Sequence, residues 1–220
     1  MYPVSYEADF NPRPNRATTF FRLILAIPWI IVLYVYLILA AFTHLFAWVS
    51  VVVIGRYPLW LYNFNSGVVR YAVRFYGWAY LQSDEWPPFG LADDPAYPIR
   101  VNIAPAAAQQ SRLKAFFRIV LILPMLIVSY AVNYMHLFVA VIAWLTIVFR
   151  GYLPEGVNNA LTFVNGFYAR LFAYYALLTD DYPPIGIEAA RPSGDQVLPA
   201  AAGAPPAPPA PPAPPAMPTV

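Results

Sequence analysis

The sequence predicts an all-α integral membrane protein made of two tandem repeats. Each repeat is a long apolar helix followed by an amphipathic helix, with short β segments flanking it, and a disordered Pro-rich tail closes the chain. Three observations carry this reading. Of the 220 residues, 60% are hydrophobic and 11% charged, and the mean hydropathy is +0.53. Soluble domains carry about 25% charged residues, and a water-facing globule of this size cannot hide the apolar surplus. The sequence also falls on itself when shifted by about 96 residues, the signature of an internal duplication. Its end is almost purely Ala, Pro and Gly.

Composition removes several function classes. The chain has no cysteine, which excludes disulfides, thiolate metal sites and cysteine nucleophiles. Two histidines, His44 and His136, make too small a ligand set for a zinc centre. The net charge of +2 comes without a basic patch, so no nucleic-acid partner is expected. No phosphate-binding glycine loop, zinc-protease motif or nucleophile elbow occurs. The expectation is a protein that is not an enzyme, with no catalytic, cofactor-binding or metal residues.

The repeat is collinear. Phe20-Phe21-Arg22 falls on Phe116-Phe117-Arg118, Pro28 on Pro124, and Trp48 on Trp144. Gly55 and Pro58 fall on Gly151 and Pro154, and Arg74 on Arg170. Asp84 falls on Asp180, and Pro87-Pro88 on Pro183-Pro184. The units are residues 1–96 and 97–191, followed by the tail at 192–220.

Each unit opens on a period-two segment that reads as a strand: Val4, Tyr6, Ala8 and Phe10, then Ile99, Val101 and Ile103. A basic linker follows, with Arg13 and Arg16 or Arg112 and Lys114. The apolar run comes next, from Phe20 to Ile54 and from Phe116 to Phe149, and stops at a Gly-x-x-Pro turn. At 1.5 Å per residue it makes about 50 Å of helix, too long for one upright span. Two readings resolve this. In the favoured one, Pro28 and Pro124 split the run, and the part after each proline crosses with tilt. In the other, the run folds back as a hairpin inside the bilayer near Leu39–Trp48.

The second helix, Leu59–Gln82 or Glu155–Leu178, carries a polar stripe: Asn63, Ser66, Arg70, Arg74 and Gly77, or Asn159, Thr162, Gly166, Arg170 and Ala173. It either lies in the interface or crosses with the stripe turned to other helices. The unit ends on an acidic pair and a Pro-Pro turn, where Asp84-Glu85 and Asp180-Asp181 read as turn or capping groups that pair with the basic linkers. Phe89–Leu91 and Ile185–Ile187 are candidates to join the opening strands in a small sheet. Basic residues before both apolar runs place both units with the same orientation, starting in the cytoplasm. Four spans, parallel repeats and cytoplasmic termini in a plasma membrane (a bacterial inner membrane) follow from this. The segment APPAPPAPPAPPAMP cannot form helix or sheet and reads as a spacer or a ligand for a proline-binding groove.

The string FFRLILAIP, the Gly55-Arg56-Tyr57-Pro58 turn, Arg74 and LQSDEWPPFGL in the first unit, with FFRIVLILP, Gly151-x-x-Pro154, Arg170 and LLTDDYPPIGI in the second, resemble the bacterial membrane-protein family called domain of unknown function 4389. The resemblance covers about residues 1–190 and leaves out the tail. It implies location and fold but no activity. The second unit has Tyr152 where the first has Arg56, so any role of Arg56 is confined to the first.

The candidate intramembrane polar site is His44, Arg70 and His136. A polar or charged group within a span marks function by default; neutral imidazoles bonded to a neighbouring helix are the structural alternative. Arg70 is the costliest at roughly 2.5–3.5 kcal/mol at mid-depth, and no Asp or Glu in the spans neutralises it, which favours an interfacial second helix. The leading expectation for function is a non-enzymatic scaffold or accessory subunit. The alternatives are a small transporter or lipid-handling protein with a polar site at the repeat interface, and a membrane-shaping hairpin protein. The expected partner is the lipid bilayer, with room for a protein partner through the helices or the Pro-rich tail.

Overall fold

The structure, a computed structural model, describes residues 2–186. The tail at 192–220 and Ile187 of the fourth β candidate lie outside the described residues.

Alternation does produce strands at both unit openings. β1 (Val4–Ala8) and β2 (Ile99–Ile103) pair antiparallel, with Val4 opposite Ile103 and Tyr6 opposite Val101. Val4, Tyr6, Ile99 and Val101 turn inward and are buried, while Ser5, Glu7, Arg100 and Asn102 occupy the other face. The expected third strand, Phe89–Leu91, does not form. Pro87 and Pro88 lack donors for a ladder, and the segment lies on a helix, with the Leu91 carbonyl against Gly67.

In the first copy α1 (Arg16–Leu25) is capped by Asn15, whose side chain accepts from the Ala17 and Thr18 amides. A break at Ala26 leads into α2 (Ile27–Ile54), with Pro28 in its first turn, where a missing N–H costs nothing. α2 runs unbroken through Leu39–Trp48, which overturns the hairpin reading: no residue there interrupts the backbone ladder. α3 (Leu59–Ala79) follows the Gly55 turn. In the second copy α4 (Arg112–Phe116) breaks at Phe117, and α5 (Arg118–Leu145) continues through a π-helical turn at Thr146–Arg150. Pro124 therefore sits inside α5 and does not split it, contrary to expectation. A proline weakens a helix locally. Here the break falls where Trp48 Nε1 donates to the freed Ala115 carbonyl at 3.0 Å. α6 (Glu155–Tyr175) completes the set.

Gly55 and Gly151 adopt φ of 78° and 76°, the left-handed geometry that ends each long helix. The second helices end on the same geometry without glycine: Leu81 has φ 72° and Leu177 φ 61°. The amides of Gln82 and Leu178 reach back to the Gly77 and Ala173 carbonyls. Both leucines are buried, which offsets a backbone cost of about 1–3 kcal/mol each.

The elements form three layers. α3 and α6 are the centre and pack on each other. α2 lies antiparallel along α3, pairing Trp29 with Trp78, Tyr36 with Tyr71 and Thr43 with Asn65. α5 lies along α6 in the same way, joined by Tyr168 and the Ser129 carbonyl. On the opposite side β2 runs down α3: Ile99 meets Gly77, the Val101 carbonyl meets Arg70, and the Ala104 carbonyl meets Tyr62. β1 packs on α6. Each strand thus covers the other copy's helix. The sheet and the outer helices enclose most of each second helix.

The copies are arranged head to tail. The start of each meets the end of the other's long helix: Leu153 donates to the Pro12 carbonyl, and Gln110 to the Gly55 carbonyl. Antiparallel pairing of β1 with β2 relates the two copies by an approximate two-fold.

Candidate functional site at the junction of the two copies

The acidic pairs behave as the sequence indicates. Arg22 donates to Asp84 at 3.0 Å and Arg118 to Asp180 at 3.1 Å. Asp84 and Asp180 also accept from the Asn15 and Ser111 amides, the N-caps of α1 and α4. Arg74 bonds the Ala92 carbonyl and Asp93, and Arg170 bonds the Pro184 carbonyl. The arginines of each second helix are therefore met by chain from the same copy and from the sheet, though Arg74 Nε stays unbonded.

The three candidate residues are not brought together. Arg70 faces the sheet side, with the Val101 carbonyl at 3.3 Å and Asp93 at 3.9 Å. The acidic partner missing from the helices comes from the loop between copies. His136 is buried between helices, its ring stacked on Tyr80 at 3.5 Å and near Tyr168 at 6.0 Å. His44 stacks on Tyr175 at 5.2 Å, with its Nδ1 buried and unbonded.

His44 and Tyr175 separate two cavities. One, of about 420 Å³, lies between α2, α3 and α6, and the other, of about 440 Å³, between α2 and the start of α5. Both volumes fall in the range of about 300–1,000 Å³ usual for ligand pockets. Leu37 lines the first and Ile119 the second, and both are exposed on the apolar outer face. The cavities thus adjoin the surface that two long apolar helices present.

The first cavity exists because the two-fold is broken. Its counterpart in the other half is filled by His136, Tyr80 and Tyr168. The equivalent positions are Ala40, Ala176 and Ala72, and all three line the cavity. Three rings on one side of the two-fold are three methyl groups on the other. Asn65 also lines it, donating to the Tyr57 hydroxyl at 2.9 Å and accepting from Thr43 at 2.9 Å. Burial pushes the Tyr57 phenol above its ordinary value, so it stays protonated and neutral.

The second cavity shows the same loss of symmetry in its charge. Arg22 spends Nη1 on the Trp78 and Ser83 carbonyls at 2.8 and 2.7 Å and Nη2 on Asp84. Its equivalent Arg118, which lines the second cavity, bonds only through Nη2 to Asp180. Its Nη1 is buried without an acceptor, whereas the Nε is unbonded in both arginines, and its guanidinium stands 4.0 Å over the Tyr174 ring. Buried donors without a partner are rare and demand an explanation. Sequence reasoning took Arg22 and Arg118 as matched repeat positions, and two arginines in one column give no sign that their surroundings differ.

The family model described as Domain of unknown function (DUF4389) matches residues 16–90 and 112–185. No curated protein and no solved structure matches the chain.

Proposed function

The chain belongs to the family described as domain of unknown function (DUF4389), in two copies, and from that premise we propose a lipid-handling membrane protein. Two helices, Ile27–Ile54 and Arg118–Arg150, are long and apolar enough to cross a membrane. The paired cavities take a single-chain amphiphile with an anionic head. Its hydrocarbon chain occupies the space opened by Ala40, Ala72 and Ala176, passing the His44–Tyr175 stack. Its acidic head accepts from the free donors of Arg118. The observation that carries this is the exchange of His136, Tyr80 and Tyr168 for Ala40, Ala176 and Ala72, which opens space beside the His44–Tyr175 stack where the other half has Ala140 and Ala79. The scaffold role expected from the sequence drew on the absent catalytic motifs, the aromatic-rich helices and the Pro-rich tail; the two cavities favour lipid handling over it.

The test is equilibrium binding of cis-parinaric acid to the full-length protein in detergent. One site per chain is expected. The variant Ala40→His/Ala72→Tyr/Ala176→Tyr fills the cavity with the other half's own side chains and should weaken binding at least tenfold without lowering the melting temperature. Arg118→Met should weaken the acid but not its methyl ester. Unchanged binding by a folded ring-filled variant refutes the proposal.

A further inference from the structure

The three layers segregate polarity across their full length. On the outside, α2 carries no charged residue, and its exposed side chains include Ile31, Phe42 and Val53. On α5 the exposed side chains include Ile127, Phe138 and Val141, and between Arg118 and Arg150 it has no charge. The opposite side is the outer face of the sheet. There Arg100 grips Asp9 with two bonds of 2.7 and 2.9 Å and reaches Glu7 at 3.5 Å, beside Ser5 and Asn102.

Orientation follows from how the sheet lies. β2 tracks α3 from Gly77 to Tyr62, and α3 tracks α2 from end to end. The loop before β2 also lies alongside, its Phe89 carbonyl accepting from Tyr36 in α2. An upright α2, about 42 Å long at 1.5 Å per residue, would therefore hold the sheet, its two open edges and this loop at bilayer depth. Unpaired backbone facing hydrocarbon costs several kcal/mol per group and does not occur in lipid-exposed positions. The Arg100–Asp9 pair would be immersed as well. Turning the long helices into the membrane plane removes every one of these conflicts. A helix is about 10–12 Å thick, and one leaflet offers about 15 Å of hydrocarbon, half of the roughly 30 Å core.

We propose that α1, α2, α4 and α5 lie flat in a single leaflet, with α3 and α6 above them and the sheet in water. Both ends of each long helix then face the same aqueous side, and length suited to crossing is used for area instead. The bilayer is the occupant of the apolar face because the charged sheet fixes the opposite side as the aqueous one, and because the apolar surface continues from α1 through α5 without a charged interruption of the long helices. This inference stands apart from amphiphile binding.

The chain has no native cysteine, so single cysteines report cleanly. Arg13→Cys, Arg56→Cys and Asn102→Cys in the full chain are labelled with an impermeant maleimide in sealed right-side-out and inside-out vesicles. All three should label in one vesicle type and none in the other. Labelling of Arg13→Cys and Arg56→Cys in opposite vesicle types overturns the proposal in favour of crossing. Bimane at Ile31, Phe42 and Val53 then reads depth against spin-labelled lipids. Equal quenching at all three is expected. A depth gradient along α2, or no quenching because a second copy covers the face, overturns it.

Discussion

Gln82 joins the two copies, and its removal has a calculable cost. Its side-chain oxygen accepts from the Tyr6 hydroxyl and from Asn165 Nδ2, and its amide donates to Thr162 Oγ1 at 2.9 Å. All of this is interior: Gln82 is 1% exposed, Asn165 1% and Tyr6 2%. Gln82→Leu leaves two buried donors, on Tyr6 and Asn165, without an acceptor. Thr162 keeps its own bond to the Asn158 carbonyl. At about 1–3 kcal/mol per stranded group, the loss is about 2–6 kcal/mol. At roughly 2–4 °C per kcal/mol for a chain of this size, that lowers the melting temperature by about 4–24 °C. The molecule already contains the apolar solution. The equivalents of Gln82, Asn165 and Tyr6 are Leu178, Val69 and Val101, and all three are buried in the central core. Gln82→Leu/Asn165→Val/Tyr6→Phe removes donors and acceptor together and should recover most of the loss, since deleting all partners is nearly neutral. Circular dichroism melts in detergent, arranged as a mutant cycle, measure this. A single-variant loss below about 1 kcal/mol, or a triple variant worse than Gln82→Leu, refutes the reasoning.

Three further outcomes are expected. Arg22→Met should destabilise more than Arg118→Met, toward about 3–5 kcal/mol for a broken buried pair, because Arg22 satisfies two carbonyls besides Asp84; equal melting shifts would contradict the asymmetry. Gly77→Ala should cost about 1–3 kcal/mol, since the new methyl overlaps Ile99 Cδ1 and stands 2.9 Å from the Tyr6 hydroxyl, and denaturant titration reads it. The Arg100 guanidinium holds the Asp9 carboxyl below its ordinary value. A depressed folded pKa stabilises above the unfolded value of about 3.9 and loses that contribution as pH falls through the folded value. Asp9→Asn should therefore flatten the melting curve's decline below about pH 4, by a small amount because Asp9 is largely exposed; an unchanged acid limb would count against the pairing.

Much of this was legible in the sequence because it depends on local chemistry. The Gly-x-x-Pro turns need a left-handed residue and then a helix start, and Gly55 and Gly151 supply the first. The alternation at Val4–Ala8 and Ile99–Ile103 gave real strands, and Asp84 and Asp180, each between a helix end and a Pro-Pro turn, read as capping groups that pair with basic residues. What the sequence left open was what the polar stripe faces. The stripe on α3 is met by the Val101 and Ala92 carbonyls and by Asp93, none of which a helical wheel displays. The splitting proline was half right, since Pro28 fits a first turn while Pro124 is carried within α5. The cavity was out of reach for another reason. The columns Ala40/His136, Ala72/Tyr168 and Tyr80/Ala176 are visible in the alignment, but their convergence depends on a two-fold that exchanges partners between copies.

That exchange sets what a single copy can be. Each copy's strand covers the other's central helix, and each leader closes the other's long helix. One copy alone would leave these surfaces open, and a second copy in a symmetric pair would close them. In such a pair every substitution appears twice, and filling one pocket fills both. Joining the halves in one chain releases that constraint. Ala40 can face His136 across the axis, and Gln82 can face Leu178, because the two sites are now encoded separately. Linkage thus lets one half keep closed packing while the other stays hollow.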